Sequence, residues 1–158
     1  MPKLTHLKAG DRAPAFTLPA SNGEEVRLSA LKGESVVLFF YPKDNTPGCT
    51  IEAKEFQQQL KALAKTGAHV FGISADSVES HCKFVEKLRL GYPLLADDTH
   101  AVCEKYGVWV EKNMYGKKFM GIQRATFLVG SDGKLAQVWP KVSPKGHAKE
   151  VLSAIRAL

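Results

Sequence analysis

The 158-residue sequence predicts an α/β fold, and three observations support this prediction. An apolar, β-branched run over residues 35–41 is followed by apolar residues at helical spacing. Strand-like and helix-like segments then alternate over residues 68–106. A strand pair over residues 124–139 and a last helix complete the pattern, which is typical of a sheet flanked by helices.

Local signals place the elements in the first half of the chain. Pro14 disfavours a helix near the N-terminus, and the Asn-Gly pair at 22–23 is a strong signal for a hairpin turn. The run that follows is the most apolar and β-branched of the chain, which favours a central strand. The expected elements are an extended lead-in over 1–14, hairpin strands over 15–18 and 25–28, a single turn from Ser29 to Gly33, a central strand over 35–41, a helix from Cys49 to about Thr66 that Gly67 ends, and a strand over 68–74.

Capping residues and glycines mark the elements of the second half. Asp76 or Ser77 can cap a helix. The apolar stripe of that helix is expected to consist of Val78, Cys82, Val85 and Leu88. The expected elements after it are a strand over 92–96, a short helix capped by Asp98 or Thr99 and ending near Tyr106, a strand from residue 108, a loop or hairpin arm over 113–121, strands over 124–129 and 135–139 around a turn at 131–134, and a helix from Ser143-Pro144 to about Arg156.

Composition limits the class of protein. The length and the apolar fraction of 44% fit a single globular domain over residues 1–158. No apolar run approaches the ~20 residues of a membrane span, and residues 1–11 lack the apolar core of a secretory signal. Three widely spaced cysteines fit a reducing compartment, so we expect a cytoplasmic protein. The net charge of +6 is scattered, which favours a solvated surface over a nucleic-acid site.

Cys49 lies at the junction between the central strand and the helix that follows it. Pro42, Pro47 and Gly48 mark a loop there, so Cys49 is expected at or near the first helical turn. The unpaired N–H groups and partial positive charge of a helix N-terminus favour a thiolate. A free cysteine is more often a small buried apolar residue. At a strand-to-helix junction, where α/β folds place their chemistry, a reactive role is favoured.

The residues around Cys49 form a longer motif. The loop contains Pro42-x-x-x-Thr46-x-x-Cys49, which resembles the active-site motif of the peroxiredoxins, the thiol peroxidases. A fuller string resembles the Q-type branch, also called bacterioferritin comigratory proteins. It consists of Tyr41-Pro42-Lys43, Thr46-Pro47-Gly48-Cys49-Thr50 and Glu52. The resemblance extends from Gly10-Asp11-Arg12-Ala13-Pro14 to the last helix and includes Arg124. It implies a thioredoxin-like fold with an N-terminal β-hairpin extension and a central mixed sheet flanked by helices.

The resemblance also implies roles for the site residues. Cys49 would attack the peroxide and become a sulfenic acid. Thr46 would hydrogen-bond the peroxide, although it can also cap the helix, and Pro42 would shield the pocket from water or simply mark the loop. Arg124 would lie against the thiolate, whereas a charge at a strand end is usually solvated. Glu52 could hold Arg124 in place, or it could be a first-turn acid favoured by the helix dipole.

The sequence leaves open how the sulfenic acid is resolved. Many Q-type members carry a second cysteine five residues after the first, where this chain has Lys54. Others carry it in the next helix, at the position of Val85. Cys82 lies one turn before that position and is the candidate for an intramolecular disulfide with Cys49. Alternatively, Cys82 is a buried residue and an external thiol resolves Cys49. Cys103 matches a cysteine that is generally not needed for turnover.

The resemblance implies peroxide substrates, namely hydrogen peroxide and small organic hydroperoxides, and an antioxidant role. It implies thioredoxin or another thiol reductant as the partner. We expect no cofactor, no metal site, no nucleic-acid or membrane partner, and a monomer or weak dimer. His81 and His100 lie in or beside expected helix starts, and His6, His69 and His147 are isolated from one another. All five histidines are expected at the surface.

Two other functions compete with the peroxidase. A thioredoxin-like disulfide oxidoreductase uses Cys-x-x-Cys, but Glu52 stands where the second cysteine is needed. A redox-regulated holdase or a nucleic-acid-binding module could use the basic surface. A peroxide-consumption assay with a thiol reductant separates these functions, because a binding module has no turnover.

Overall fold

The computed structural model describes residues 4–158, so the first three residues of the expected lead-in lie outside the described residues. The assignment of residues 1–158 to one domain stays a prediction. Within residues 4–158, the strands are β1 (Thr17–Pro19), β2 (Glu25–Arg27), β3 (Val36–Phe40), β4 (His69–Ser74), β5 (Leu94–Ala96), β6 (Trp109–Met114), β7 (Lys117–Ile122), β8 (Ala125–Val129) and β9 (Leu135–Trp139). The helices are α1 (Pro47–Lys65), α2 (Val78–Leu88), α3 (Ala101–Lys105) and α4 (His147–Arg156), and a short 3-10 turn covers Leu28–Leu31.

A mixed sheet forms the centre of the described residues, with strand order β5-β4-β3-β8-β9. The strand predicted over 35–41 is confirmed as central. It pairs in parallel with β4 and antiparallel with β8. Every residue of β3 is buried, which explains why its sequence is continuously apolar rather than alternating. The predicted α/β fold with a central mixed sheet is therefore confirmed.

The two faces of β3 pack into two apolar clusters, because successive side chains of a strand point to opposite faces. On one face, Phe40 packs with Tyr106 and Phe127. On the other face, Phe39 stacks on Phe56 of α1 with ring centroids 4.5 Å apart. Helices α1 and α4 cover this second face, so the start of α1 is held against the end of β3.

Two hairpins form separate two-stranded sheets beside the central sheet. The predicted N-terminal hairpin is confirmed as the antiparallel pair β1–β2. Strands β6 and β7 form a second hairpin, so the segment over 113–121 is a hairpin arm rather than a loop. Its two turn residues, Tyr115 and Gly116, both have positive φ, as the tight turns that match strand twist require. Within residues 4–158, no helix combines the length and the apolar composition of a membrane span.

Several predicted helix starts differ from the structure. Helix α1 begins at Pro47, two residues before the predicted start, because proline suits the first helical position. Helix α4 begins at His147 rather than near Ser143, after Gly146 with φ of 83°. The prediction that Asp98 or Thr99 caps α3 is wrong. Asp97 accepts hydrogen bonds from the amides of α3, at 3.2 Å from Val102 and 2.7 Å from Cys103.

The predicted apolar stripe of α2 is wrong for Cys82. Ser77 caps this helix by accepting a hydrogen bond from the Ser80 amide, as one of the two predicted caps. The buried residues of α2 are His81 and Phe84, and Cys82 is exposed. The helix is therefore turned so that a histidine, rather than the cysteine beside it, faces the core. Hydrophobic spacing alone predicts a buried Cys82, because a histidine does not count toward an apolar stripe.

Candidate active site

Cys49 is the third residue of α1 and is 1% exposed. Thr46 has an extended backbone and Pro47 supplies the first helical position, so the chain turns from the end of β3 directly into a helix. The backbone N–H groups of this first turn lack partners within the helix, and the helix dipole adds partial positive charge. Both features stabilise a negative charge on the Cys49 sulfur. The predicted position of Cys49 in the first helical turn is confirmed.

Arg124 contacts two acidic groups at once. Its Nη2 donates to Cys49 Sγ at 3.4 Å, and its Nη1 donates to Glu52 Oε1 at 2.6 Å. The arginine side chain is 13% exposed, so water screens these contacts only weakly. Burial by itself would lower the pKa of Arg124, but the charges of Glu52 and Cys49 outweigh burial and raise that pKa. The guanidinium is thus a fixed positive charge beside the sulfur.

Glu52 lies one turn after Cys49 and is 1% exposed. Among the described residues, its Oε2 is the one buried side-chain oxygen or nitrogen that has no hydrogen-bond partner. Burial raises the pKa of Glu52 to about 7, against the opposing pull of Arg124. The carboxyl therefore titrates near neutrality, which the sequence did not predict.

Thr46 and Pro42 lie in the connection from β3 to α1, and both are half-buried. The Thr46 hydroxyl donates to the carbonyl of Lys43 at 2.8 Å. Thr46 occupies the N-cap position of α1, as the alternative interpretation expects, but its side chain makes no capping hydrogen bond. With its proton engaged, the hydroxyl presents its lone pairs as acceptors.

Gly48 belongs to the site for a reason that the sequence did not reveal. A Cβ atom at this position would lie 3.1 Å from Arg124 Nη2 and 3.5 Å from Pro144 Cγ. The absence of a side chain lets the guanidinium lie over the first turn of α1. The sequence indicates only a loop glycine at position 48, because no local signal identifies a residue 76 positions away as its neighbour.

A half-buried lysine also lies near the site. Lys112 of β6 runs across Gly121, where a Cβ would lie 3.4 Å from its Cδ. Burial and the charge of Arg124 lower the pKa of Lys112, while the charge of Cys49 opposes this shift. This second cation was missed because it falls at the edge of a segment predicted only as a loop or hairpin arm.

Comparisons with known proteins identify the family of this chain. The AhpC/TSA family model matches residues 9–138. The chain belongs to the AhpC/TSA family. The putative peroxiredoxin bcp of Coxiella burnetii is 49% identical, over 94% of this chain and 99% of that protein. The structure of Xanthomonas campestris peroxiredoxin Q matches with a TM-score of 0.88 and 43% identity, over 94% of this chain and 97% of that chain.

A further structure concerns the alkyl peroxide reduction activity of Xanthomonas campestris bacterioferritin comigratory protein and its trapped intermediate/ligand complexes. It matches with a TM-score of 0.88 and 42% identity, over 94% of this chain and 98% of that chain. The chain is therefore a peroxiredoxin of the Bcp, or Q-type, branch with a thioredoxin-like fold. Peroxiredoxins are thiol-dependent peroxidases, which act on peroxides and are reduced by thiols.

The other two cysteines of this peroxiredoxin lie in contrasting environments. Cys82 is exposed on α2, and its Sγ donates to the Ser21 carbonyl at 3.2 Å. Cys103 is buried in α3, and burial, followed by the nearby Asp97, raises the pKa of its thiol well above the usual range. All three cysteines are free in the structure. Of the two, Cys82 is the accessible thiol.

A largely buried polar cluster joins the loop before Cys49 to α2. We call it the Asp44 clasp, and it consists of Tyr41, Asp44, Asp76, Ser80 and His81. Asp44 Oδ1 accepts a hydrogen bond from the Tyr41 hydroxyl at 2.5 Å. Its Oδ2 lies 2.7 Å from His81 Nδ1 and accepts from Ser80 Oγ at 2.8 Å. His81 Nε2 lies 2.9 Å from the Leu95 carbonyl, so each ring nitrogen of the histidine faces an oxygen acceptor.

The clasp also contains groups of the kind that bind metals. Asp44, Asp76 and His81 place their ligand atoms within 4.8 Å of one another. The oxygens are already engaged, because Asp76 Oδ2 accepts from Ser74 Oγ at 2.6 Å and from the Asp44 amide at 2.8 Å. We therefore assign these three groups to a hydrogen-bonded structural cluster.

The expectation that all five histidines lie at the surface is wrong for two of them. His81 is fully buried in the Asp44 clasp. His147 is 1% exposed, and its Nε2 lies 2.8 Å from Thr126 Oγ1. Burial lowers the pKa of His147, although Glu150 opposes this shift. The local sequence does not reveal this burial, because Asp44 and Leu95 beside His81 and Thr126 beside His147 are distant along the chain.

Proposed function

We propose that Cys49 is the peroxidatic residue and that Arg124 is the cation that activates it. The contact of 3.4 Å between Arg124 Nη2 and Cys49 Sγ, in the first turn of a helix, carries this proposal. The sulfur attacks one peroxide oxygen, an S–O bond forms and the O–O bond breaks. Cys49 becomes a sulfenic acid, and the departing oxygen takes a proton. The positive charge of Arg124 stabilises the negative charge that moves from sulfur to the departing oxygen.

Thr46 is proposed to position the peroxide. Because its hydroxyl donates to the Lys43 carbonyl, it can accept a hydrogen bond from the peroxide O–H. Pro42 is proposed to shield the pocket from water, and Glu52 to hold Arg124 in place through the 2.6 Å contact.

Replacement of Cys49 tests the proposal directly. Cys49→Ser is expected to abolish peroxide consumption while preserving the far-ultraviolet circular dichroism spectrum. Cys103→Ser is the matched control, because Cys103 is a second buried cysteine outside the site, and it is expected to remain active. Appreciable turnover in purified Cys49→Ser would show that another residue attacks the peroxide.

The proposed substrates are hydrogen peroxide and small organic hydroperoxides. Support for the organic class comes from the alkyl peroxide reduction activity named for the Xanthomonas campestris relative. Steady-state turnover with hydrogen peroxide and with tert-butyl hydroperoxide measures the preference. Turnover with hydrogen peroxide alone would remove the organic class from the proposal.

Cys82 is proposed to resolve the sulfenic acid through an intramolecular disulfide, which thioredoxin then reduces. Its exposure supports access to an attacking or reducing thiol, whereas Cys103 is buried. Cys49 is buried in α1, so the bridge requires opening at the starts of α1 and α2, where helix ends open most easily. The alternative is a one-cysteine cycle in which an external thiol resolves Cys49.

Non-reducing peptide mapping after one equivalent of peroxide separates the two cycles. A Cys49–Cys82 disulfide is expected, and Cys82→Ser is expected to lose thioredoxin-dependent turnover. If Cys82 remains alkylatable and Cys82→Ser retains full turnover, the one-cysteine cycle is correct.

We also propose that the protein is a cytoplasmic antioxidant enzyme, present as a monomer or weak dimer. Three unpaired cysteines support a reducing compartment. Cell fractionation and analytical ultracentrifugation test the location and the oligomeric state, respectively.

A further inference from the structure

Two acidic groups share one cation at the active site. Arg124 directs one nitrogen to Cys49 Sγ and the other to Glu52 Oε1. Glu52 is 1% exposed, and its second oxygen has no partner among the described residues. A buried carboxylate with one unpaired oxygen is costly, whereas a proton on that oxygen removes the charge.

The surroundings of Glu52 offer little further stabilisation to its anion. The charge of Glu55 on the same helix raises the pKa of Glu52 in addition to the larger effect of burial. Tyr92 lies nearby, but its hydroxyl donates to the Ala53 carbonyl at 2.7 Å and not to the carboxyl. Burial is the larger cause that raises the pKa of Tyr92, and the charge of Glu52 raises that pKa further. The phenol therefore stays neutral.

The remaining charged groups act on the site through other residues. On α4, His147 faces Glu150 and Glu55, and burial lowers its pKa, so it adds no fixed charge. On β6, the pKa of Lys112 responds to the charges of Arg124 and Cys49 and not to that of Glu52. Arg124 is therefore the cation on which the ionisation of Glu52 depends.

We propose that Glu52 holds a proton while Cys49 is a thiolate and releases that proton when Cys49 is oxidised. The inference rests on the proposed role of Cys49 as the peroxidatic residue. While the sulfur is negative, it competes with the carboxyl for the charge of Arg124. The sulfenic acid is neutral and no longer competes for this charge. The Glu52 carboxylate is then the one anion that Arg124 stabilises at the site, which favours its ionised form.

This exchange balances the protons of the reaction. The thiolate takes an OH group from the peroxide, which keeps its own hydrogen in the sulfenic acid. The O–O bond breaks, sulfur is oxidised, and the departing alkoxide or hydroxide needs one proton. In the chains in which Glu52 is protonated, it releases its proton as that need arises, so the net uptake of protons from solution is smaller than the amount of thiolate oxidised. Reduction of Cys49 back to the thiolate returns the proton to Glu52.

Infrared difference spectroscopy tests the proposal. The measurement compares reduced and singly oxidised protein near pH 7, in a Cys82→Ser background that prevents the intramolecular disulfide. The carbonyl stretch of a protonated carboxyl is expected in the reduced protein and is expected to be lost on oxidation. Its intensity should correspond to about half a carboxyl per chain, because a group with a pKa of about 7 is half protonated there. Glu52→Gln should remove this signal, and Glu79→Gln, which alters an exposed carboxyl paired with Lys83, should retain it.

Intact mass and thiolate absorbance of the same samples distinguish failure of the peroxidatic role of Cys49 from failure of the proton release by Glu52. If Cys49 does not gain an oxygen, the proposed peroxidatic role fails. If Cys49 was a thiolate and is oxidised, but the carboxyl signal is absent or unchanged, the proton-release proposal is wrong. The proposal is also wrong if the Glu52→Gln variant still loses a protonated-carboxyl stretch on oxidation, because another group would then release the proton. Should Glu52→Gln fail to fold, proton uptake by the Cys82→Ser protein decides: uptake equal to the thiolate oxidised contradicts the proposal.

Discussion

Arg124 combines a fixed charge with two nitrogens at a set separation, which is why a lysine could not replace it. One nitrogen contacts Cys49 Sγ and the other contacts Glu52 Oε1, so the side chain is held at both ends of its planar group. The ammonium group of a lysine is a single compact charge and could not contact both partners with separate nitrogens. At the residue scale, the reactivity of Cys49 therefore depends on the geometry of this one guanidinium.

Arg124→Met should slow the reaction of Cys49 with peroxide, because it removes a largely buried positive charge beside the sulfur. A loss of about 1–3 kcal/mol corresponds to a rate constant lower by roughly 5- to 150-fold. Stopped-flow kinetics of peroxide oxidation and the ultraviolet absorbance of the thiolate provide the measurements. Lys118→Met, which removes an exposed lysine near Glu111, is the control and should react like the wild type. Equal rates and equal thiolate fractions in both variants would contradict the assigned role.

Glu52 should make stability depend on pH. Burial raises its pKa from 4.5 to about 7, so the folded protein binds more protons than the unfolded chain between these values. The contribution of Glu52 to the free energy of unfolding is therefore present below about pH 4.5 and is lost as the pH rises through about 7. Urea unfolding of wild type and Glu52→Gln should show that the wild type loses stability relative to the variant between about pH 5 and about pH 8. A difference that stays constant with pH would contradict this assignment.

At the scale of elements, the loop from β3 to α1 is fastened to the neighbouring helix rather than left free. Asp44 of this loop contacts His81 of α2, and His81 in turn contacts the Leu95 carbonyl of β5. The Asp44 amide donates to Asp76, which precedes α2. Each of these contacts joins a different element, so the clasp sets the position from which α1 starts.

His81→Gln should lower the free energy of unfolding by about 1–3 kcal/mol, because it disturbs the buried hydrogen bond between His81 and the Asp44 carboxylate. Urea denaturation measures the change. His100→Gln is the matched control, since His100 pairs with Glu104 at the surface, and its effect should stay within about 0.5 kcal/mol. Similar effects of the two substitutions would show that the clasp contributes little to stability.

At the scale of the whole molecule, the two cysteines proposed to form the disulfide lie on different helices packed beside a rigid sheet. Cys49 is buried in the first turn of α1, and Cys82 is exposed on α2. Strands β3 and β8 are buried throughout and have little freedom to move. The change that joins the cysteines is therefore expected to occur in the helices.

Hydrogen exchange should show this change. After one equivalent of peroxide, the amides of residues 47–52 and 78–88 should exchange faster, while those of β3 and β8 should keep their protection. Mass spectrometry of peptides from reduced and oxidised protein measures the rates. In Cys82→Ser, residues 78–88 should exchange alike in both states. Unchanged exchange in a sample that contains the Cys49–Cys82 disulfide would show that no opening is needed.

The sequence by itself determined the α/β pattern, the central strand, the N-terminal hairpin and the position of Cys49 in a first helical turn. These features depend on neighbouring residues: apolar spacing, proline and glycine punctuation, and a motif that spans Pro42 to Glu52. The family followed from that motif for the same reason, because its chemistry is concentrated in one loop. The prediction that Arg124 lies at the active site depends on the family resemblance, because local spacing does not distinguish it from a surface arginine.

Only the tertiary structure decided which distant residues meet. Arg124 reaches Cys49 across 75 positions of the chain because β8 pairs with β3, and Gly48 leaves room for it. The rotation of α2 buries His81 and exposes Cys82, which hydrophobic spacing had reversed. The titration of Glu52 near neutrality likewise depends on its burial. These properties arise from strand order and packing, in which a residue's surroundings come from segments that the local sequence does not specify.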